Sequence, residues 1–177
     1  ELEDNTTDYS LSQDRSFTYT IDRGNYTEQL MVKEAGKSLA RQIKEVVVPE
    51  IDTYRLNAWA MAAAANGHEK KAQIGPDTAY AEFLEAQEAL HEDKVPVKGR
   101  ICYVTPRYYS LLKQDSAFIK AGDLSQKMLI NGQVGEVDGV KIIMAPSTYF
   151  PGKTNFILIH PRCSVSPKKL EDYKIHN

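Results

Sequence analysis

A single long amphipathic helix, from Asn25 to Arg55, constrains this chain more than any other feature of its sequence. Asn25 can cap the first turn, and Glu28 stands three residues later, where a capping-box carboxylate belongs. Pro49 is expected to stop or kink the helix, because proline has no amide donor and disfavours helical backbone in the preceding residue. Apolar residues recur in steps of three and four along about six turns, longer than the usual three or so: Val32, Ala35, Leu39, Ile43 and Val46. The pattern predicts an architectural spine.

Length, charge and cysteine content narrow the class of protein. The 177 residues suffice for one large domain or two small subdomains with a hydrophobic core. A net charge of -2 argues against strong nucleic-acid binding, which needs a basic excess. No apolar run reaches about 18 residues, so no membrane helix is predicted. Cys102 and Cys163 form no paired motif, and we expect both to be reduced, buried and inert in a cytoplasmic setting.

Hydrophobic periodicity predicts a strand and two further helices in the first half of the chain. Alternation predicts a strand from Phe17 to Asp22, with one buried face. A helical run from Glu50 to Ala65 ends at Asn66-Gly67 and carries one apolar face beside Trp59: Tyr54, Ala58, Met61 and Ala65. Asp77 is expected to cap another helix, whose apolar positions are Tyr80, Phe83, Leu84, Ala86 and Leu90.

The second half of the chain reads as strands mixed with one short helix. Arg100–Val104 is rich in strand-forming residues, and Thr105-Pro106 reads as a cap followed by the first helical residue. Asp138-Gly139 between two apolar alternations predicts a hairpin over residues 133–144. Phe156–Ile159 is predicted as a buried strand, and Val165–Ile175 as a long exposed strand broken near Pro167. Helices and strands do not alternate regularly, which favours an α+β fold.

Clusters of reactive side chains are few in this sequence. Glu50 and Asp52 could form a carboxylate pair for acid–base work, but two residues apart on a helix they do not face each other. Asp52 can pair with Arg55, and acids near a helix N-terminus are stabilised by its positive end. Cys102 lies in a strand-like run, with no base placed to activate its thiol. We therefore predict no catalytic residue, no cofactor site and no metal site.

Four segments in this order resemble the major capsid proteins of tailed bacteriophages, the Hong Kong-type capsid fold. They are SFTYTIDRGNYTEQ, VVVPEIDTYRLNAWA, GRICYVTPRYYSLLK and GEVDGVKIIMAPS, and PEIDTYR is the most specific part. The resemblance implies four regions: 1–24 as part of an extended loop, 25–71 as a peripheral domain with the spine helix, 72–161 as an axial domain, and 162–177 as a peripheral-domain strand. We also expect the sequence to be a fragment, without the family's N-terminal arm and C-terminal segment.

The resemblance implies a structural, non-enzymatic protein of the virion capsid that assembles in the bacterial host cytoplasm. Its partners would be copies of itself, in pentamers and hexamers, and packaged DNA indirectly, with no membrane and no small-molecule substrate. An extended arm is marginally stable alone and gains stability on a neighbouring subunit, so the expected interface includes Phe17, Tyr19, Arg23, Glu50, Asp52 and Arg55. Two alternatives stay open: an encapsulin-like nanocompartment shell protein, and a small cytoplasmic enzyme that uses Glu50, Asp52 or Cys102.

Overall fold

The computed structural model describes residues 10–11, 13–18, 28–120 and 133–166. The chain divides into two compact units. One consists of Glu1–Val47 together with Ser164–Asn177, and the other of Val48–Cys163. This division and the sequence-based regions differ over residues 48–71, which the sequence groups with the spine helix and the structure groups with the sheet-containing unit.

In the first unit the expected spine is a helix in two segments. Helix α1 spans Glu28–Gln42, and a π-helical segment follows at Ile43–Val47. Of the predicted stripe, Ala35, Leu39 and Ile43 are half-buried, whereas Val46 is 46% exposed. The predicted N-terminal strand is described only at Phe17 and Thr18, where the backbone is irregular, and its remainder lies outside the described residues. The predicted strand over Val165–Ile175 is likewise described only at its first two residues, which are irregular.

The second unit begins with helix α2, Val48–Ala65. Pro49 is its second residue, and a π-helical segment directly precedes α2 in the sequence. Proline is tolerated in the first turn of an α-helix, where its missing amide would have no intrahelical partner. A proline therefore begins an α-helix here and does not stop the helical chain. The predicted end of α2 is confirmed, because Gly67 adopts a φ of 76° and the His68 amide donates to Ala63 O at 2.9 Å.

In the part of the chain that the structure describes, four strands form one mixed sheet, which confirms the α+β class. They are β1 (Ile101–Val104), β2 (Gln133–Val137), β3 (Val140–Met144) and β4 (Phe156–Ile159). Their order is β2-β3-β1-β4, with β1 parallel to β3 and the other pairs antiparallel. The predicted hairpin is confirmed: Asp138 and Gly139 have φ of 49° and 75°, as a type I′ turn requires, and Val137 pairs with Val140.

Three shorter helices accompany the sheet: α3 (Ala79–Glu92), α4 (Pro106–Gln114) and α5 (Ser116–Lys120). The predicted start of α4 is confirmed, since Thr105 Oγ1 accepts from the Tyr108 amide at 3.3 Å and Pro106 follows it. The predicted cap of α3 is wrong. Thr78 occupies the cap position in place of Asp77, and its side chain makes no capping hydrogen bond.

Two clusters of buried side chains make up the core of the second unit. The larger one joins the sheet to α3, α4 and α5 and includes Phe83, Cys102, Tyr108, Leu112 and Ile142. The smaller one places Leu56 of α2 against Phe150 and Ile157. The apolar face of α2 that the sequence singles out, with Tyr54, Ala58, Met61 and Ala65, is exposed. Leu84 of α3 is also 42% exposed.

Candidate functional site

Of the six residues expected at a subunit interface, four belong to the described part of the chain. Glu50, Asp52 and Arg55 lie in the first two turns of α2, and Phe17 lies in irregular backbone. Partial burial raises the pKa of Asp52, and the nearby Arg55 charge opposes that shift. Tyr19 and Arg23 lie outside the described residues. The role of all six at an interface stays a prediction.

Asp52 and Arg55 also act on an aromatic pair between α2 and the sheet. Burial raises the pKa of Tyr103 in β1, with the Asp52 charge as the second cause, while Arg55 lowers it. The Tyr103 ring lies 5.6 Å from the Trp59 ring, centroid to centroid. Two residues of PEIDTYR, Asp52 and Arg55, therefore act electrostatically on Tyr103 of β1. Trp59, one turn further along α2, packs against the same ring.

The two cysteines differ in a way that the sequence did not reveal. Both are free, and Cys102 is fully buried in β1 as expected. Burial raises the pKa of its thiol, which keeps the sulfur protonated and unreactive. Cys163 ends a short 3₁₀ turn, Pro161–Cys163, and is exposed, so the expectation that it is buried is wrong. Cys163 is exposed because it lies in the turn after β4, outside the sheet.

Thiol labelling separates these two sites. In the native protein, maleimide is expected to modify Cys163 rapidly and Cys102 only after unfolding, because reagents need an accessible thiolate. Mass spectrometry of the labelled peptides measures both. The Cys163→Ser variant is the control and should take up no label at residue 102 while folded; fast native labelling of Cys102 would contradict the described core.

The three described histidines have different partners: His91 and His160 lie against backbone carbonyls, and His68 lies 4.0 Å from the Asp93 carboxylate. His160 Nε2 lies 3.2 Å from Lys98 O, and its Nδ1 accepts from the Arg162 amide. Within residues 10–11, 13–18, 28–120 and 133–166, no group of three His, Cys, Asp or Glu side chains could hold a metal ion. In the same residues, no helix combines the length and apolar character needed to cross a membrane.

Arg100 is fully buried, although its sequence position predicts only the start of a strand. Its guanidinium donates to Pro96 O at 3.1 Å, to Val95 O at 2.6 Å and to Gln87 O at 3.4 Å. His91 Nδ1 lies 3.1 Å from Nη1. The guanidinium thus donates hydrogen bonds to carbonyl oxygens of α3 and of the loop that follows it. A cation is favoured near a helix C-terminus, where carbonyl groups lack intrahelical donors.

Asp115 is a second buried charged residue that the sequence did not reveal. It lies between α4 and α5 and is 2% exposed. Its Oδ2 accepts from the Tyr80 amide at 3.0 Å, and its Oδ1 accepts from the Ala117 amide at 2.9 Å. One carboxylate therefore caps the N-termini of both α3 and α5. Asp115 is 35 positions from Tyr80 in the sequence, so no local sequence pattern predicts that it caps α3.

A surface groove of about 440 Å³ lies beside the Arg100 cluster, and we call it the α3 groove. Its lining residues come from α3, the following loop and the hairpin turn: Leu84, Gln87, Glu88, His91, Val97 and Asp138. The Tyr80 hydroxyl donates to Asp138 Oδ2 at 2.8 Å. Burial, followed by this hydrogen bond, raises the pKa of Tyr80 to about 12. The groove therefore combines the exposed apolar side chains of Leu84 and Val97 with the carboxylates of Glu88 and Asp138.

Comparisons of the chain with protein families, with curated proteins and with solved structures find no match. What supports a function for this chain is therefore its own residues, their contacts and the order of its sequence motifs.

Proposed function

We propose that this chain is a structural subunit that assembles with copies of itself into the icosahedral head of a tailed phage or prophage. In this role it encloses DNA in the virion, after assembly in the cytoplasm of the bacterial host. Its work is geometric and not catalytic: it presents surfaces that bind other copies at fixed angles. The four co-linear segments that resemble the capsid family motivate the proposal.

The exposed apolar face of α2 is the observation that carries it. Met61 is 71% exposed and Tyr54 is 48% exposed, with Ala58 and Ala65 on the same face. These side chains follow helical spacing, as in a helix that buries one stripe, yet Leu56 and Trp59 make the contacts to the core. A periodic apolar face left outside a core is typical of a surface that a partner covers.

A shell subunit also accounts for how the charged residues of the second unit are used. The buried Arg100 and Asp115 tie helices and loops together through hydrogen bonds to backbone groups. Such internal ties hold the unit rigid, and a rigid unit keeps the angle between its neighbours fixed. Contacts between two different patches of identical subunits close into rings, and rings can tile a shell.

Electron microscopy of the full-length protein, alone and as Met61→Glu, tests the proposal. We expect rings, capsomers or shells from the unchanged protein, and a loss of most particles in the variant because the substitution puts a charge on the apolar face. Since Met61 is exposed, the stability of the monomer should change by no more than about 0.5 kcal/mol.

Ala89→Glu is the matched control, because it introduces the same charge at another exposed helical position. It should assemble as the unchanged protein does. Equal assembly of all three proteins would contradict a role for the α2 face, and a full-length protein that forms no assemblies would contradict the proposed function. Particles that hold an enzyme in place of DNA would indicate a nanocompartment.

A further inference from the structure

We propose, resting on the assembly function above, that the α3 groove binds the exposed face of helix α4 of a second copy. The groove is acidic and partly apolar, and the α4 face is basic and carries an aromatic ring. Because the two patches differ, one copy uses its groove for one neighbour and its α4 for another. The contact is therefore head-to-tail.

The groove offers apolar area with negative charge at its edge. Leu84 is 42% exposed and Val97 is 46% exposed, in a groove otherwise lined by polar side chains. Glu88 is exposed and has no ion-pair partner among the described residues. Asp138 sits at the hairpin turn, where the Tyr80 hydroxyl fixes its carboxylate. A complementary surface would bring apolar atoms and positive charge together.

The outer face of α4 has this complementary character. Arg107, Ser110 and Lys113 are spaced by three residues along one side of the helix and are all exposed. Lys113 Nζ lies 4.8 Å from the centre of the Tyr109 ring, so the side chain covers the ring and keeps its ammonium at the surface. Arg107 and Lys113 are about 9 Å apart along the helix axis, at 1.5 Å per residue.

Arg107 is placed where its charge does not help its own helix. Thr105 caps α4, so Arg107 is the second helical residue, and no acid occupies the first turn. A positive charge there lies beside the positive end of the helix dipole and is disfavoured. No acidic side chain of the described residues forms an ion pair with Arg107. The unfavourable position of the Arg107 charge is explained if an acidic side chain of another copy pairs with it.

The area that this contact can bury indicates how much it contributes to assembly. A stable interface buries about 1,200–2,000 Å² in total, more than one shallow groove and one face of a nine-residue helix provide. The contact therefore adds to the α2 face and does not replace it. Complementary charges set register and direction more than affinity, so this contact would decide which sides of two copies meet.

Charge reversal in the full-length protein tests the contact through a mixing experiment. Glu88→Lys places a positive charge at position 88 of the groove, and Arg107→Glu with Lys113→Glu makes the helix face acidic. Each variant alone then sets like charges against each other at position 88, and we expect association to weaken by about tenfold or more in sedimentation velocity. Mixing the two variants restores opposite charges at every contact between unlike chains, so association should recover in species where the two variants alternate.

This recovery distinguishes a head-to-tail contact from general charge effects. The control Glu69→Lys makes the same charge change as Glu88→Lys, and Lys153→Glu reverses one positive charge in the same direction as the helix-face variant. Both positions are exposed and lie outside both surfaces, so both controls should associate as the unchanged protein does. Glutamate in the first turn of α4 is favoured by the helix dipole, so Arg107→Glu should not lower the melting temperature. Lys113→Glu places an acid in the last turn of α4 and removes the cation over the Tyr109 ring, so the melting temperature of the double variant is measured beside its association. An unchanged melting temperature separates loss of association from unfolding.

Cysteine crosslinking locates the same contact directly. In a Cys163→Ser background, a mixture of Glu88→Cys chains and Lys113→Cys chains should form crosslinked dimers with a short bismaleimide, and neither alone should. If the unchanged protein associates but the reversals have no effect, mixing fails to restore association, or Glu88→Cys crosslinks to itself, the contact is refuted while the assembly function stands. A full-length protein that never associates refutes both.

Discussion

Replacing Arg100 with methionine is expected to lower the free energy of unfolding by at least about 3 kcal/mol. The side chain is fully buried and donates to three backbone carbonyls, at Gln87, Val95 and Pro96. Methionine fills a similar volume but removes the guanidinium donor from Val95 O and Pro96 O, while Gln87 O stays 2.7 Å from His91 Nδ1. Each buried group left unpaired costs about 1–3 kcal/mol. Chemical denaturation followed by circular dichroism measures the loss.

Two variants give this prediction its controls. Arg100→Lys keeps the charge but cannot reproduce the planar fork of donors, so we expect an intermediate loss. Arg162→Met removes an exposed arginine and should stay within about 0.5 kcal/mol of the unchanged protein. A loss below about 1 kcal/mol for Arg100→Met would show that the guanidinium does not hold these carbonyls.

The second large effect is expected at Asp115, where replacement by alanine should cost about 2–4 kcal/mol. The substitution removes both caps at once, because Tyr80 in α3 and Ala117 in α5 each donate an amide to this carboxylate. A single cap is worth about 0.5–2 kcal/mol, and burial prevents water from replacing it. Thermal unfolding and amide hydrogen exchange at the two helix starts measure the effect.

Asp77→Ala is the matched control for Asp115→Ala. The sequence places the cap of α3 at Asp77, whereas in the structure the carboxylate that contacts α3 is that of Asp115. Asp77 is exposed, so we expect its replacement to change stability by no more than about 0.5 kcal/mol. If Asp77→Ala costs more than Asp115→Ala, the described capping is wrong.

The elements that the sequence predicts well are those set by neighbouring residues. Asp138-Gly139 specifies its hairpin because the turn needs two residues with positive φ. Thr105-Pro106 specifies the start of α4, since cap and first-turn preferences act within four residues. Asn66-Gly67 ends α2 for the same kind of local reason.

The features that the sequence does not reveal depend on contacts between distant segments. Arg100 is buried because the end of α3 and its following loop fold around it, and charged residues are otherwise expected at the surface. Helix α2 has apolar residues on more than one side, so periodicity alone cannot decide whether Leu56 or Met61 faces the core. The α3 groove likewise joins a helix, a loop and the hairpin turn.

Sedimentation velocity of the full-length protein over a wide concentration range shows whether the chain assembles, because it reports association without assuming which surfaces take part. If the chain is a self-assembling subunit, we expect large multi-copy species whose share grows with concentration, and we expect fewer of them in Met61→Glu but not in Ala89→Glu. A single monomeric species at the highest concentration reached would contradict self-assembly.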